Sequence, residues 1–266
     1  MTPALLLIAS ALAEESSFAG AKGGTETTPA PGAHATAELG GALTFGNTET
    51  MALTGVGKVD YRWTLHALSG TFGVNWGQSK IDADGDGKLN EIERAVGFVK
   101  TAERQFVTLR YDRFVSKKDS VYGLAGAFVD TFAGYDHRLN GQVGWSHRFL
   151  ETVQTAFRGE LGVDVAREDF VDGIDPNAAT VVAARVLFGV RHRFNEHVAI
   201  EDTLEVYQGL LDVTDVRVNN TVAVTAVLTG RVSLKLSHQL AFDNVPVEDY
   251  QPLDHTTMAS VVLTFL

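Results

Sequence analysis

Apolar and polar residues alternate along this chain with a period of two, over segments longer than the usual strand. In "RLNGQVGWSHRF" Leu139, Gly141, Val143, Trp145, His147 and Phe149 fall on one face, and Arg138, Asn140, Gln142, Ser146 and Arg148 on the other. In "VSLKLSHQLAFD" Val232, Leu234, Leu236, Leu240 and Phe242 oppose Ser233, Lys235, Ser237, Gln239 and Asp243. A period of two is the signature of a strand with one apolar face, whereas an amphipathic helix repeats near 3.6. The polar face carries full charges in one segment after another: Arg110 and Asp112, Arg158 and Glu160, Asp164, Arg185 and Arg191, Glu201 and Glu205. Strands of a soluble sandwich usually run to about five or six residues, and these run longer.

Breaks at Gly, Asn, Asp and Pro clusters divide the chain into twelve such segments: 36–46, 50–63, 66–79, 102–115, 119–133, 137–149, 152–168, 177–194, 197–212, 218–229, 231–244 and 254–266. Most reach the roughly 9–11 residues that a tilted membrane strand needs. Past Leu12 no run of about 18 apolar residues occurs, which excludes a membrane-spanning helix. The connections fall into two sets. One is tight: Trp63 to His66, Ser116 to Asp119, Leu150-Glu151, Asn195-Glu196 and Thr229-Gly230. The other contains the three longest, "KIDADGDGKLNEIERAVGFVK", "EDFVDGIDPNAA" and "DNVPVEDYQPLD". An even strand number with short turns on one side and longer loops on the other predicts an all-β fold, a single antiparallel transmembrane β-barrel of about 12 strands with short periplasmic turns and extracellular loops. Tyr61, Trp63, Trp76, Tyr111, Phe114, Phe149, Phe194 and Phe265 near strand ends suit interfacial aromatic girdles.

The domain reading follows. Residues 1–13, with the apolar run Ala4 to Leu12 and the small-residue pattern Ala11-Leu12-Ala13, read as a secretory signal peptide; residues 14–35, rich in Gly, Ser, Thr, Ala and Pro, read as a flexible linker; residues 36–266 read as the barrel. The location expected is the bacterial outer membrane. The expected partners are its lipid, its lipopolysaccharide and the barrel assembly machinery, since "TTMASVVLTFL" puts Thr257, Ala259, Val261, Leu263 and Phe265 on one apolar face of a terminal strand. With 33 acidic against 22 basic residues, a formal net charge of -11, no nucleic-acid partner is expected, because such a surface needs clustered Lys and Arg. The chain has no cysteine, so disulfides, thiolate metal sites and cysteine nucleophiles are excluded.

Three segments, "LGGALTFGNTETMALTGVGKVDYRW", "ERQFVTLRYDRFVSKKDSVYGLAGAFVDTFAGYDHRLNGQVGWSHRF" and "GELGVDVAREDF", resemble the salt-induced outer membrane protein family. Its members carry an "SGNT"-like first turn, an "RYDYF"-like strand and a "YREED"-like strand. The resemblance covers most of the chain after about Glu38. It implies an outer-membrane β-barrel and brings no activity or catalytic residues with it.

One stretch stands outside that pattern. "DADGDGKLNEIE", residues 82–93 between the third and fourth strands, matches the twelve-residue calcium loop of an EF-hand, with ligands at positions 1, 3, 5, 7, 9 and 12 and Gly at 6. Asp82, Asp84 and Asp86 fill the first three, the Lys88 carbonyl the seventh, Asn90 the ninth and Glu93 the twelfth. Calcium is the cofactor this predicts. The flanks are unlike an EF-hand: "NWGQSK" reads as a strand end, and only "NEIERAV" suits a short helix. A lone structural loop, ordered by calcium, is the expectation.

Function stays open between three readings. The first is a narrow passive pore. The second is a closed structural barrel that stabilises the envelope and binds cations or lipopolysaccharide through acidic loops. The third and least supported is a membrane lipase, needing a nucleophile beside a His base. His147, His192, His197 and His238 sit in no nucleophile motif, no "GxSxG" occurs, and no catalytic residue is assigned. Asp202, between Ile200 and Leu204 on the face assigned to lipid, implies a bulge or a shifted register in its strand.

Overall fold

In a computed structural model, the described residues are 31–44, 49–83, 89–174, 176–246 and 252–265, with the side chains of residues 42 and 44 left aside. They form a closed antiparallel barrel in which each strand pairs with its neighbours in chain order and β1 meets β12. The strands are β1 (Gly32–Thr44), β2 (Thr50–Arg62), β3 (His66–Ser79), β4 (Val99–Phe114), β5 (Asp119–Asp130), β6 (Tyr135–Glu151), β7 (Thr155–Phe170), β8 (Ala178–Arg193), β9 (Val198–Gly209), β10 (Val216–Val227), β11 (Val232–Asp243) and β12 (Leu253–Thr264). Among the described residues the α-helix is α1 (Glu91–Ala95), and no helix is long and apolar enough to cross a membrane.

All twelve expected strands are present, and their edges shift by a few residues. β1 starts at Gly32, so the last four residues of the segment read as linker belong to the barrel. The signal peptide and the rest of the linker lie outside the described residues. Both β1 and β12 have their chain ends at the rim that carries the tight turns.

That rim has a local code. Ser116, Thr152, Asn195 and Thr229 each open a turn, and each side-chain oxygen accepts amide hydrogens from the residues two and three further on. Such hydrogen bonds mimic a backbone turn and, in the first three of these turns, fix the hairpin without glycine. At the opposite rim the chain needs glycine twice where it leaves a short helical turn: Gly97 after α1 and Gly134 after the 3-10 turn Thr131–Ala133 have φ of 83° and 85°.

The alternation sorts the side chains as expected. Leu39, Leu53, Phe72, Leu109, Val143, Leu161, Leu204, Leu236 and Val261 stand exposed on the outer wall, while Arg104, Arg110, Glu160, Asp164, Glu168, Arg185 and Glu205 are buried inside. This inversion of the soluble pattern leaves an apolar belt around a wall whose backbone groups are paired along every hairpin ladder and over five positions where β1 meets β12, the arrangement lipid requires. At the tight-turn rim outward rings stack in sequence: Trp145, His147, Phe149, Phe157 and Phe188 lie within 4.9 to 6.2 Å of one another in turn, and Tyr61 meets Trp63 at 4.5 Å. Phe114, assigned to a girdle from sequence, turns inward instead, with the Arg62 guanidinium 3.9 Å from its ring centre.

Asp202 keeps its place on the outer wall without a bulge. The β8–β9 and β9–β10 ladders run through it unbroken, opposite Val190 and Val222, and Asn220 Nδ2 donates to its Oδ1 at 2.8 Å. The expected register is therefore right, and a diagonal amide replaces the bulge as the means of tolerating the charge.

Candidate functional site

The interior face gathers charges that alternation alone aims inward. On the tight-turn side of the lumen Arg110 of β4 donates to both oxygens of Glu160 of β7, at 3.0 and 2.8 Å, and through Nε to Asp112 at 2.8 Å. Arg185 of β8 donates to the same Glu160 at 2.9 Å and to the Tyr122 hydroxyl at 2.8 Å, and pairs through Nε with Glu205 of β9. Arg185 and Asp164 are 0 % exposed, so water does not reach them from the lumen. Buried charges persist only when paired and hydrogen-bonded, and here each guanidinium fork meets the planar carboxylate that suits it.

The platform for this cluster is Tyr122 of β5. Its ring lies flat on the wall over β6 and β7, where the residues beneath are Gly144 and Gly162. A methyl group at Gly144 would come within 2.6 Å of the ring, and one at Gly162 within 2.6 Å of the hydroxyl. Arg110 lies 4.2 Å from the ring centre, a cation–π contact on the face opposite the wall. Two glycines thus let an aromatic lie down, and the aromatic carries two arginines across the strands.

Nearer the loop rim a second cluster joins Glu168 to Arg217 at 2.7 Å and Arg138 at 3.3 Å, with Arg217 also meeting Asp215 at 3.1 Å and Asp243 at 3.2 Å. Beside β1, Lys235 pairs with Glu38 at 2.9 Å, and Ser260 donates to the same carboxylate. The lumen is thus lined by neutralised pairs. An ion moving through it would meet fixed charges of both signs and would have to part some of them.

The calcium-loop residues divide. Asp84, Asp86 and Lys88 lie outside the described residues; Asp82, Asn90 and Glu93 are within them. Asn90 caps α1, its Oδ1 accepting from Ile92 and Glu93 amides at 2.9 and 3.0 Å. Glu93 returns one oxygen to the Asn90 amide at 2.9 Å and gives the other to the Ala83 amide at 2.8 Å. The carboxylate at position 12 therefore lies against the amide at position 2, and the two ends of the loop are drawn together. The five-residue α1 is the short exit helix expected. Glu49, in the β1–β2 connection, holds Lys80 at 2.9 Å and Arg94 at 2.6 Å; the Lys80 hydrogen bond, with the two positive charges, lowers its pKa below the ordinary value.

The histidines have other partners. His147 lies 2.7 Å from Asp119, His192 2.9 Å from Thr155 and His238 2.8 Å from Thr257, all at strand positions of the wall; His197 is in an exposed turn. Sequence reasoning missed Tyr122, Gly144 and Gly162. The signal was present as glycine at inward-facing positions of two adjacent strands, where bulk would otherwise be expected.

Residues 37–265 match a family model described as "Protein of unknown function, DUF481". No curated protein matches the sequence. Among solved structures, the chain is similar to the NanC porin, at TM-score 0.52 and 11% identity over 87% of this chain and 100% of that one. It is also similar to the COG4313 outer membrane channel from Pseudomonas putida F1, at TM-score 0.48 and 12% identity over 91% and 98% of the two chains. The translocator domain of the autotransporter NalP from Neisseria meningitidis gives TM-score 0.45 and 11% identity over 88% and 87%. At these identities the likeness is one of fold.

Proposed function

The chain belongs to the DUF481 family, and from that footing we propose that it is a bacterial outer-membrane β-barrel acting as a narrow passive pore, constricted by Tyr122, Arg110, Glu160, Arg185 and Glu205. The observation that carries the reading is the inverted wall: apolar residues outward all round, paired charges inward. A barrel of twelve strands is intermediate between the filled eight-stranded type and the open porins, so side chains decide whether it conducts. The tight-turn rim faces the periplasm and the loop rim faces outward.

The 82–93 loop then stands on the outer side, where it binds calcium through Asp82, Asp84, Asp86, the Lys88 carbonyl, Asn90 and Glu93. Sites of the extracellular class, with dissociation constants around 10⁻⁴–10⁻³ M, are occupied there. Calcium would hold the loop over the barrel mouth or bridge it to lipopolysaccharide phosphates. The approach of Glu93 to Ala83 supports this, since it brings the last ligand position beside the residue that follows the first.

A closed, envelope-stabilising barrel is the second reading, favoured by the complete burial of Arg185 and Asp164. Single-channel recording of the refolded chain in a planar bilayer separates the two, first with millimolar calcium and then with a chelator on the loop side. A pore gives steady conductance that rises in Arg185→Ala and Tyr122→Ala. Silence from inserted wild type and from both variants would leave only the closed barrel.

A further inference from the structure

Every hairpin ladder of the barrel extends over at least eleven positions. The ladder that closes the wall is shorter: β1 and β12 pair over five, from Thr36↔Thr264 to Gly40↔Ser260, all toward the tight-turn rim. Both strands continue. β1 runs on to Thr44 in register with β2, and β12 begins at Leu253 in register with β11. Among the described residues no β1–β12 pairing continues beyond Gly40 and Ser260, in the half of the wall nearer the loops.

The residues at the parting are not those of an ordinary seam. On the inner face the Met258 side chain lies over Gly40, its Cγ and Sδ only 3.2 and 3.3 Å from where a methyl group would stand. A flexible thioether thus lies where the ladder ends. On the outer face, where the wall is otherwise apolar, the exposed His255 and Thr257 of β12 face His238 of β11, with His238 Nδ1 2.8 Å from the Thr257 hydroxyl and His255 Nδ1 3.5 Å from His238 Nε2. Leu39 and Leu43 of β1 flank the gap on the other side, both exposed.

A sheet edge inside hydrocarbon presents backbone groups that lipid cannot satisfy, so an open edge lasts only where something polar can reach it. We propose that the β1–β12 gap beyond Gly40 and Ser260 is a side portal through which a single-chain amphiphile passes between the outer leaflet and the lumen. The acyl chain lies along Leu39 and Leu43, and the polar head passes His255 and Thr257 to reach the inner face at Met258, which swings aside. The proposal rests on the membrane placement given above and not on conduction along the barrel axis.

The cysteine-free chain makes the test direct. The register of the short ladder, continued, would set Leu43 opposite Thr257, whereas Ala37 and Leu263 are already paired. Two double variants, Leu43→Cys/Thr257→Cys and Ala37→Cys/Leu263→Cys, are refolded into phosphatidylcholine vesicles and oxidised. The Ala37/Leu263 pair cross-links readily, and the portal pair at least about tenfold more slowly, because thiols need their Cα atoms within about 7 Å. A lysophosphatidylcholine with a diazirine in its chain is then photolysed in the same vesicles. Label is expected on inward-facing Met258 as well as on outward Leu39 and Val261, and only the Met258 label disappears once the portal pair has been driven to its disulfide. Equal cross-linking rates for the two pairs, or label confined to outward residues before locking, would overturn the portal. Neither readout requires conductance, so a silent barrel leaves the result standing.

Discussion

Arg110 of β4 holds both oxygens of Glu160 of β7, at 3.0 and 2.8 Å, across two intervening strands. Side chains usually bridge neighbouring strands; this pair reaches over β5 and β6 because Tyr122 lies flat beneath it. Removing Glu160 takes away the carboxylate that Arg110 and Arg185 share and leaves them with Asp112 and Glu205; breaking a buried pair of this kind costs up to about 3–5 kcal/mol. Urea unfolding in vesicles is expected to show a loss of that size in Glu160→Gln and a smaller one in Asp112→Asn, whose carboxylate is more accessible.

The glycines beneath Tyr122 give a second test. Gly144→Ala would drive a methyl group to within 2.6 Å of both the ring and the Leu161 carbonyl, and overpacking of this kind costs about 1–3 kcal/mol. Gly141→Ala, on the same strand with open space around it, is expected to be neutral. Equal unfolding midpoints for the two variants would mean that the ring does not lie as described.

Asp202 predicts a gain in stability. A charge facing lipid costs about 2–4 kcal/mol near the midplane for Arg or Lys, less for a carboxylate and less again toward the interfaces, and one amide from Asn220 offsets part of it. Asp202→Val is expected to raise the unfolding midpoint, and Asn220→Val to lower it. A fall in Asp202→Val would mean that the outer wall meets a partner there.

Glu49 sets an acid limit on the loop. Its pKa is lowered, foremost by the Lys80 hydrogen bond, so its anchoring of Lys80 and Arg94 is fully present above the ordinary value near 4.3 and fades as pH falls through the lowered one. Hydrogen exchange of the α1 amides is expected to speed up in that window, and Glu49→Gln to show the fast rate at neutral pH as well.

Calcium should act on the same segment. Isothermal titration is expected to show a millimolar or tighter site that is lost in Glu93→Gln, with slower exchange at Ile92 to Val96. An absence of heat at millimolar calcium would leave Glu93 as the helix-capping residue it already is.

The strands were legible because each one repeats a simple rule: a residue's face is set by its parity, so Leu139 and Arg138 declare outside and inside respectively without knowledge of their neighbours. The loop asymmetry was legible for the same local reason. The lumen partners were not, since which strand Arg110 reaches depends on the stagger of the whole sheet and on a ring lying down over Gly144 and Gly162. Phe114 illustrates the limit: its place near a strand end suggested the girdle, while its parity with Arg110 and Asp112 turned it inward under Arg62. Of the calcium set, the capping by Asn90 was implicit in the spacing to Glu93, but the approach of Glu93 to Ala83 is a property of the folded loop.

The shortness of the ladder between Thr36 and Thr264 also bears on how the molecule is made. Contacts between the two ends of a chain form after nearer ones, because loop-closure entropy must be met first. Until then the protein is a ribbon of hairpins with two raw edges, open to pairing with any other strand. Five pairs reward that final step with fewer hydrogen bonds than any hairpin ladder provides. A substitution that lengthens the ladder is therefore expected to favour closure.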